Sequence, residues 1–171
     1  CGVFRNVFEL NPGECATYKN GRLTRRTYFS IEAHEHTDSE AQTIEKTRSL
    51  LTDAIERQLV SDVPLCMLLS GGLDSSVIVK VASLYNRAHK LGRPSTYSVE
   101  YVDNAKYFAK SKFQPTRDYE YIKMMSKDAG TRHNEVLLDN KLLADALYDS
   151  VEARDLPGYV DVDSSLLLFC R

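Results

Sequence analysis

The chain has 171 residues, which is long enough for one domain with a substantial core. Its 22 Lys and Arg residues against 24 Asp and Glu residues give a net charge of −2, so we predict no nucleic-acid partner and no acidic lipid surface. Because no apolar run reaches the length of a bilayer span, we also predict no membrane partner.

Short β-strands are predicted for residues 1–30. The Asn-Pro-Gly triplet at 11–13 is typical of a turn after an apolar strand at 7–10. The Asn-Gly pair at 20–21 is a hairpin signal before a strand at 22–29.

A helix is predicted to follow a polar linker over residues 31–38. Thr37 and Glu40 have the spacing of a capping box, which predicts that the helix begins here. Apolar and small residues then recur at helical spacing: Ile44, Thr47, Leu51, Ile55 and Leu59.

From Val63 onwards, apolar strands alternate with helical patterns. We predict strands at 63–69, 96–102 and 133–138, and helices at 73–90, 119–129 and 142–151. The first strand is almost continuously apolar, which is typical of burial on both faces of a parallel sheet. The repeated strand–helix order predicts an α/β fold, a parallel twisted sheet with helices on both faces, preceded by a short β-hairpin segment.

Two details of packing follow from the same pattern. In the helix at 73–90, Val77, Val81 and Leu84 are expected to face inward. Cys66 and Cys170 lie inside apolar runs, which predicts buried free thiols and therefore a reducing, cytoplasmic location.

The run Ser-Gly-Gly-Leu-Asp-Ser-Ser at 70–76 lies where the first apolar strand ends and its helix begins. Open α/β sheets bind ligands at this position. Glycines allow a tight turn and a close approach, while the free N–H groups at a helix start favour an anion. Ser70 and Ser75 add hydroxyl groups.

The residues of this run do not match two other motifs, the Walker phosphate-binding loop and the nucleophile elbow. A Walker loop needs a lysine at its end, and none occurs before Lys80. A nucleophile elbow needs glycine two residues before the serine, where Leu68 stands. Asp74 would repel a bare phosphate, so it either caps the helix or contacts phosphate through Mg²⁺.

The run resembles the pyrophosphate loop of the N-type ATP pyrophosphatases. Other segments of the chain identify a narrower family, because they are similar to glutamine-hydrolysing asparagine synthetases. These segments are residues 2–13, 57–64, 153–158 and 161–165. The resemblance implies an adenine nucleotide α-hydrolase-like fold and a ligase that adenylates the side-chain carboxylate of aspartate with ATP. It also implies release of pyrophosphate and formation of asparagine with ammonia from glutamine.

By the same resemblance, ATP and Mg²⁺ are the cofactors, and a set of residues contacts ATP and its pyrophosphate. The implied set is Leu69, Ser70, Gly71, Gly72, Asp74, Ser75 and Val99. Leu69 and Val99 match positions that meet the adenosine, although the pattern by itself favours the core of a sheet for both. No catalytic residue is assigned.

The resemblance further implies a domain organisation. Residues 1–36 correspond to the β segment at the end of a glutaminase half, and residues 37–171 to the N-terminal part of the synthetase domain. The glutaminase domain of the same chain and a homodimer are implied partners. The family's second acidic segment and its later lysine have no match here, so we expect an internal piece of a longer protein that does not make asparagine alone.

Some alternatives stay open. A β-lactam synthetase-like ligase and a non-catalytic nucleotide-binding module would use the same loop. The acidic residues before the last helix either bind a ligand or are solvated: Glu152, Asp155, Asp161 and Asp163, with Asp163 as a helix cap. We interpret His133 as structural, and Lys106, Lys110 and Lys112 as solvated loop residues.

Overall fold

The structure is a computed structural model that describes residues 4–112, 116–156 and 158–171, with the side chains of Val160 and Asp161 outside the description. The chain divides into two compact units, Cys1–Thr43 and Ile44–Arg171. Among the described helices, none is long and apolar enough to cross a membrane.

The first unit contains an antiparallel hairpin of β1 (Glu14–Lys19) and β2 (Arg22–Thr27). Asn20 and Gly21 form its turn with φ of 51° and 74°, as expected for a tight hairpin. The strand predicted at 7–10 does not form, because no strand of the described residues pairs with that segment. Residues 1–3 of the predicted strand region lie outside the described residues.

The helix α1 (Glu40–Glu56) begins three residues later than the predicted capping residue Thr37. Ser39 is the actual cap: its Oγ accepts from the Gln42 N–H at 3.4 Å, and the Gln42 side chain accepts from the Ser39 N–H at 2.9 Å. The reciprocal pair of a capping box therefore exists two residues further along the chain than predicted.

The second unit continues with alternating strands and helices. In chain order they are β3 (Cys66–Leu68), α2 (Leu73–Ala88), β4 (Ser95–Tyr101), α3 (Asn104–Tyr107), α4 (Asp118–Ala129), β5 (Arg132–Leu138), α5 (Asn140–Asp145), α6 (Leu147–Arg154) and α7 (Val160–Cys170). The strands form a parallel sheet in the order β3-β4-β5. The predicted α/β fold is thus confirmed.

Alternation along β4 shows that helices cover both faces of the sheet. Tyr97 packs edge-on against Phe169 of α7, with ring centroids 6.4 Å apart. Thr96, on the opposite face, bonds to Thr131 at the end of α4. Successive side chains of a strand point to opposite faces, so α7 and α4 lie on different sides.

The core lies between β3, α2 and α4, where Leu69, Val79, Ile122 and Ala129 are buried together. The inward face of α2 consists of Val79, Ala82 and Ser83, and Leu84 is half exposed. The predicted face of Val77, Val81 and Leu84 is therefore rotated, because the Ser83 hydroxyl donates to the Ala129 carbonyl and α4 packs on that side.

The expected burial of the first parallel strand is wrong for the described structure. β3 is an edge strand of three residues, and Leu68 is 57% exposed. Cys66 and Cys170 are exposed rather than buried, the first on this edge strand and the second at the end of α7.

The helix predicted at 142–151 is divided at Ala146, where α5 ends and α6 begins. Asp139 caps α5 by accepting from the Leu142 N–H at 2.7 Å. The predicted end of α4 is confirmed, since Gly130 stands in the left-handed region with φ 69°.

Candidate nucleotide site

The loop at 70–76 begins where β3 ends. Leu69 is 1% exposed, and its N–H donates to the Tyr97 carbonyl at 2.8 Å, so the chain is held against β4 up to this residue. α2 then begins at Leu73. The turn between Ser70 and Gly72 therefore lies at the carboxyl end of the parallel strands, where open α/β sheets bind ligands.

Gly71 is the residue that allows this turn. Its φ of +79° lies in the left-handed region, which favours glycine. A Cβ at this position would stand 2.8 Å from the Asp118 carbonyl oxygen and 3.3 Å from side-chain atoms of Tyr121 and Ile122. Both the backbone angle and the close packing of α4 therefore require glycine at residue 71.

Gly72 is different. It is extended, with φ −73° and ψ 166°, and an added Cβ would meet only the Ser70 Oγ at 3.4 Å. The Gly72 N–H donates to the Ser70 Oγ at 3.4 Å, and within the described residues no side chain caps the following N–H groups of Leu73, Asp74 and Ser75. The fold therefore leaves open space and uncapped donors where the sequence predicted an anion.

Serine hydroxyls hold the loop together. The Ser75 Oγ accepts from the Ser70 N–H at 3.3 Å and lies 3.0 Å from the Ser70 Oγ. The Ser76 Oγ donates to the Gly72 carbonyl at 2.7 Å. The Ser75 Oγ also lies 3.2 Å from the Gly72 carbonyl, so both hydroxyls contact the helix start, but only that of Ser75 also forms a hydroxyl pair with that of Ser70.

Asp74 lies in the first turn of α2 with an exposed side chain. Within the described residues it makes no hydrogen bond and no ion pair, so the capping alternative is not observed. Among those same residues no group of three or more His, Cys, Asp or Glu side chains could hold a metal ion. Asp74 is therefore a free carboxylate beside the loop.

A cavity of about 320 Å³ lies at the carboxyl ends of β3 and β4. Of the seven residues implied by the resemblance, Leu69, Ser70 and Val99 line it together. The other four lie further along the loop and helix start and do not line it: Gly71, Gly72, Asp74 and Ser75. Ser70 is therefore the residue shared by the cavity and the hydroxyl pair.

Several residues of the cavity wall were not predicted from the sequence. Asp118 and Ile122 come from α4, and Ser98 from β4, with Ser165 and Phe169 from α7. Asp118 could have been found, because the first turn of a helix that follows a parallel strand lies at the same edge of the sheet. The contribution of α7 has no such signal, since it depends on how that helix crosses the opposite face.

His133 is held between two hydroxyls, as expected for a structural histidine. Its Nδ1 lies 3.0 Å from the Thr96 Oγ1, and its Nε2 lies 3.0 Å from the Ser98 Oγ. Burial lowers the pKa of His133, and the carboxylate of Glu135 opposes this effect. The ring is therefore neutral near pH 7 and offers one donor and one acceptor.

Asp163 and Lys106, among the other charged residues considered as ligands, have local partners. Asp163 pairs with Arg154 and does not cap α7, which begins at Val160. Asp155 ends α6 with φ 56°, and the side chain of Asp161 lies outside the described ones. Lys106 lies over the Tyr107 ring, 5.0 Å from its centroid.

Comparison with known proteins gives a consistent set of similarities. A family model described as Asparagine synthase matches residues 46–171. The glutamine-hydrolyzing asparagine synthetase 3 of Bacillus subtilis is 44% identical over 170 residues, which is 99% of this chain and 28% of that relative. The chain thus spans less than a third of that relative's length.

Two further relatives match about half of the chain. The glutamine-hydrolyzing asparagine synthetase 1 of Bacillus subtilis is 33% identical over 86 residues, 50% of this chain and 14% of that relative. Amidase chyE of Penicillium rubens is 32% identical over 98 residues, 54% of this chain and 15% of that relative.

Proposed function

The chain belongs to the asparagine synthase family, and we propose that it carries the ATP-binding part of a ligase that converts aspartate to asparagine. The loop at 70–76 would hold the pyrophosphate of ATP, and the cavity beside Leu69 and Val99 would hold the nucleoside. The single observation that carries this proposal is the uncapped start of α2 beside the extended Gly72, within reach of the Ser70–Ser75 hydroxyl pair.

The geometry of the loop suits a pyrophosphate group. Gly71 turns the chain so that α2 begins at the edge of the sheet, and Gly72 keeps side-chain atoms away from the approach. The partial positive charge of a helix N-terminus stabilises an anion. Donors already in place would also stabilise the charge that develops as pyrophosphate leaves.

The same site offers one carboxylate to Mg²⁺. Protein-bound Mg²⁺ commonly keeps several waters and uses one or two carboxylates together with substrate phosphates. Asp74, with its exposed and unpaired carboxylate, is the residue of the loop that would hold it. The ion would neutralise phosphate charge when bound.

In the whole protein, the side-chain carboxylate of aspartate would attack the α-phosphorus of ATP and expel pyrophosphate. Ammonia from glutamine would then attack the resulting acyl group and expel AMP. A glutaminase domain in the same chain would supply the ammonia, residues 1–36 would end that domain, and residues 37–171 would begin the synthetase domain. A homodimer is the implied assembly, and the mass of the whole protein in solution tests it.

ATP binding by this chain tests the loop assignment. We compare the wild type with Gly72→Val, which places a side chain where the anion would approach without straining the extended backbone. Loss of charge-assisted hydrogen bonds should weaken ATP binding at least about tenfold. Ala88→Val, at the exposed far end of α2, is the matched control and should bind as the wild type. Equal affinities for wild type and Gly72→Val would remove the assignment.

Pyrophosphate release by the whole protein tests the reaction. Release that requires both ATP and aspartate supports asparagine formation, whereas release with another carboxylate acceptor supports a related ligase such as a β-lactam synthetase-like enzyme. ATP binding without release for any acceptor supports a non-catalytic nucleotide-binding module. This chain by itself should bind ATP and release no pyrophosphate.

We also propose a cytoplasmic location. Cys15, Cys66 and Cys170 are free thiols in the described structure. Exposed free thiols persist in a reducing compartment. Fractionation of cells that produce the whole protein tests this assignment.

A further inference from the structure

Hydrogen-bonded side chains cross the sheet from α4 to the nucleotide cavity. The Ser126 hydroxyl lies 2.9 Å from the Thr131 hydroxyl, which lies 2.9 Å from that of Thr96. His133 then joins Thr96 to Ser98, with 3.0 Å at each ring nitrogen. Thr96 is fully buried and Ser98 is 6% exposed. Ser98 is thus the member of this row that reaches the cavity wall.

Both nitrogens of His133 are used in this row. A neutral imidazole has one donor and one acceptor, so its bond to Ser98 uses either the proton of that hydroxyl or one of its lone pairs. The remaining hydrogen-bonding capacity of the hydroxyl is then directed away from His133. Because Ser98 lines the cavity, that capacity is available to a ligand.

The position of Ser98 indicates which part of a nucleotide it would meet. Leu69, and Ile122 of α4 on the same face of the sheet as Ser98, make the cavity apolar beside this hydroxyl. The phosphate-binding donors lie beyond Ser70, on the loop and at the start of α2. In an apolar cavity a small number of oriented polar groups fixes the orientation of the ligand. Ser98 therefore faces the nucleoside rather than the phosphates.

We propose that His133 is a positioning residue for nucleoside binding, because its bond to Ser98 holds that hydroxyl in the orientation that hydrogen-bonds the nucleoside of ATP. The inference rests on the proposed function, in which the cavity takes ATP. His133 does not touch the ligand and acts through Ser98. The loop glycines and serines are left to bind the pyrophosphate.

Two amide substitutions separate the bonds of His133. In His133→Asn, the amide stands near the place of Nδ1, so it keeps the bond to Thr96 and does not reach Ser98. In His133→Gln, the longer side chain reaches the place of Nε2 and retains the bond to Ser98. Ser98→Ala removes the hydroxyl itself, and His89→Asn, at the far end of α2, is the control.

The measurement is calorimetric affinity for ATP, with inorganic pyrophosphate as a competing ligand. Loss of one oriented hydrogen bond should lower ATP affinity about fivefold in His133→Asn and in Ser98→Ala. The double variant should bind as weakly as either single variant and no more weakly. Pyrophosphate affinity should stay unchanged in all of them, and His133→Gln and His89→Asn should match the wild type.

Other results overturn the inference. If His133→Asn weakens pyrophosphate as much as ATP, or if its effect adds to that of Ser98→Ala, His133 only supports the fold. If ATP affinity is unchanged in His133→Asn, Ser98 needs no positioning. Failure of the proposed function is recognised separately, because Gly72→Val would then bind ATP as tightly as the wild type.

Discussion

The carbonyl oxygen of Asp118 lies 2.8 Å from the point where a Cβ on Gly71 would stand. The first turn of α4 is therefore packed directly against the turn of the loop that leads into α2. This contact joins two segments that are far apart in sequence and that both border the cavity. The position of the loop thus depends on α4 as well as on its own residues.

Gly71→Ala should destabilise the chain. The substitution forces a residue with a Cβ to φ +79° and against the Asp118 carbonyl, so we expect a loss of about 1–3 kcal/mol in the free energy of unfolding. Urea unfolding followed by circular dichroism measures it. Gly72→Ala is the control and should change stability by less than about 0.5 kcal/mol, since its backbone is extended and its surroundings are open. Similar losses in both variants would contradict the difference that we assign to the two glycines.

The serines of the loop should differ in their effect on ATP binding. Ser75→Ala removes the partner of the Ser70 hydroxyl and N–H, so we expect about fivefold weaker binding. Ser76→Ala removes only a hydroxyl that is bonded to the Gly72 carbonyl, and affinity should stay within about twofold. Titration with a fluorescent ATP analogue measures both. A larger effect for Ser76→Ala would mean that its hydroxyl, and not that of Ser75, serves the ligand.

The ion pair of Arg154 and Asp163 should stabilise the packing of α6 on α7. Asp163 is only 12% exposed, so Arg154→Met leaves a largely buried carboxylate without its partner and should cost about 1–2 kcal/mol. Thermal unfolding measures the loss.

A second pair, between α6 and the residue that follows α7, provides the control. Arg171 and Asp149 are both more than half exposed, and Arg171→Met should cost less than about 0.5 kcal/mol. Equal shifts in the unfolding temperature of the two variants would show that burial of Asp163 does not decide the strength of its pair.

Stability should depend on pH through His133. Burial lowers its pKa in the folded chain below the unfolded value of about 6.5, so below that pH the unfolded chain binds a proton that the folded chain does not. The free energy of unfolding should therefore fall as the pH drops from about 6.5 through the folded pKa. Urea unfolding at several pH values between about 7 and 5 measures it.

His133→Gln is the comparison for this effect, because it lacks the titrating group. As the pH falls through the same window, the wild type should lose free energy of unfolding relative to the variant. A difference that stays constant with pH would show that protonation of His133 is not disfavoured by folding.

Local patterns predicted the elements whose ends carry a chemical signal. The Asn-Gly hairpin turn, the Gly130 end of α4 and the alternation of strands and helices all correspond to the structure. Local patterns did not predict the start of α1, because two candidate capping residues of similar chemistry lie close together there. Thr37 and Ser39 both have the spacing of a capping residue, and only Ser39 forms the reciprocal bonds with Gln42.

For the candidate site, the sequence by itself determined the loop, because the glycines, the serines and the following helix are contiguous and their chemistry is local. Tertiary structure alone decided which glycine is conformationally required and which is free, since the packing of α4 at Asp118 makes the difference. It also decided that Ser98 and His133 meet, because the register of β4 and β5 brings together residues that α3 and α4 separate along the chain. The same cause explains which face of α2 is buried and why β3 is exposed. The fold sets the packing partners of an element, and the periodicity of that element alone does not predict them.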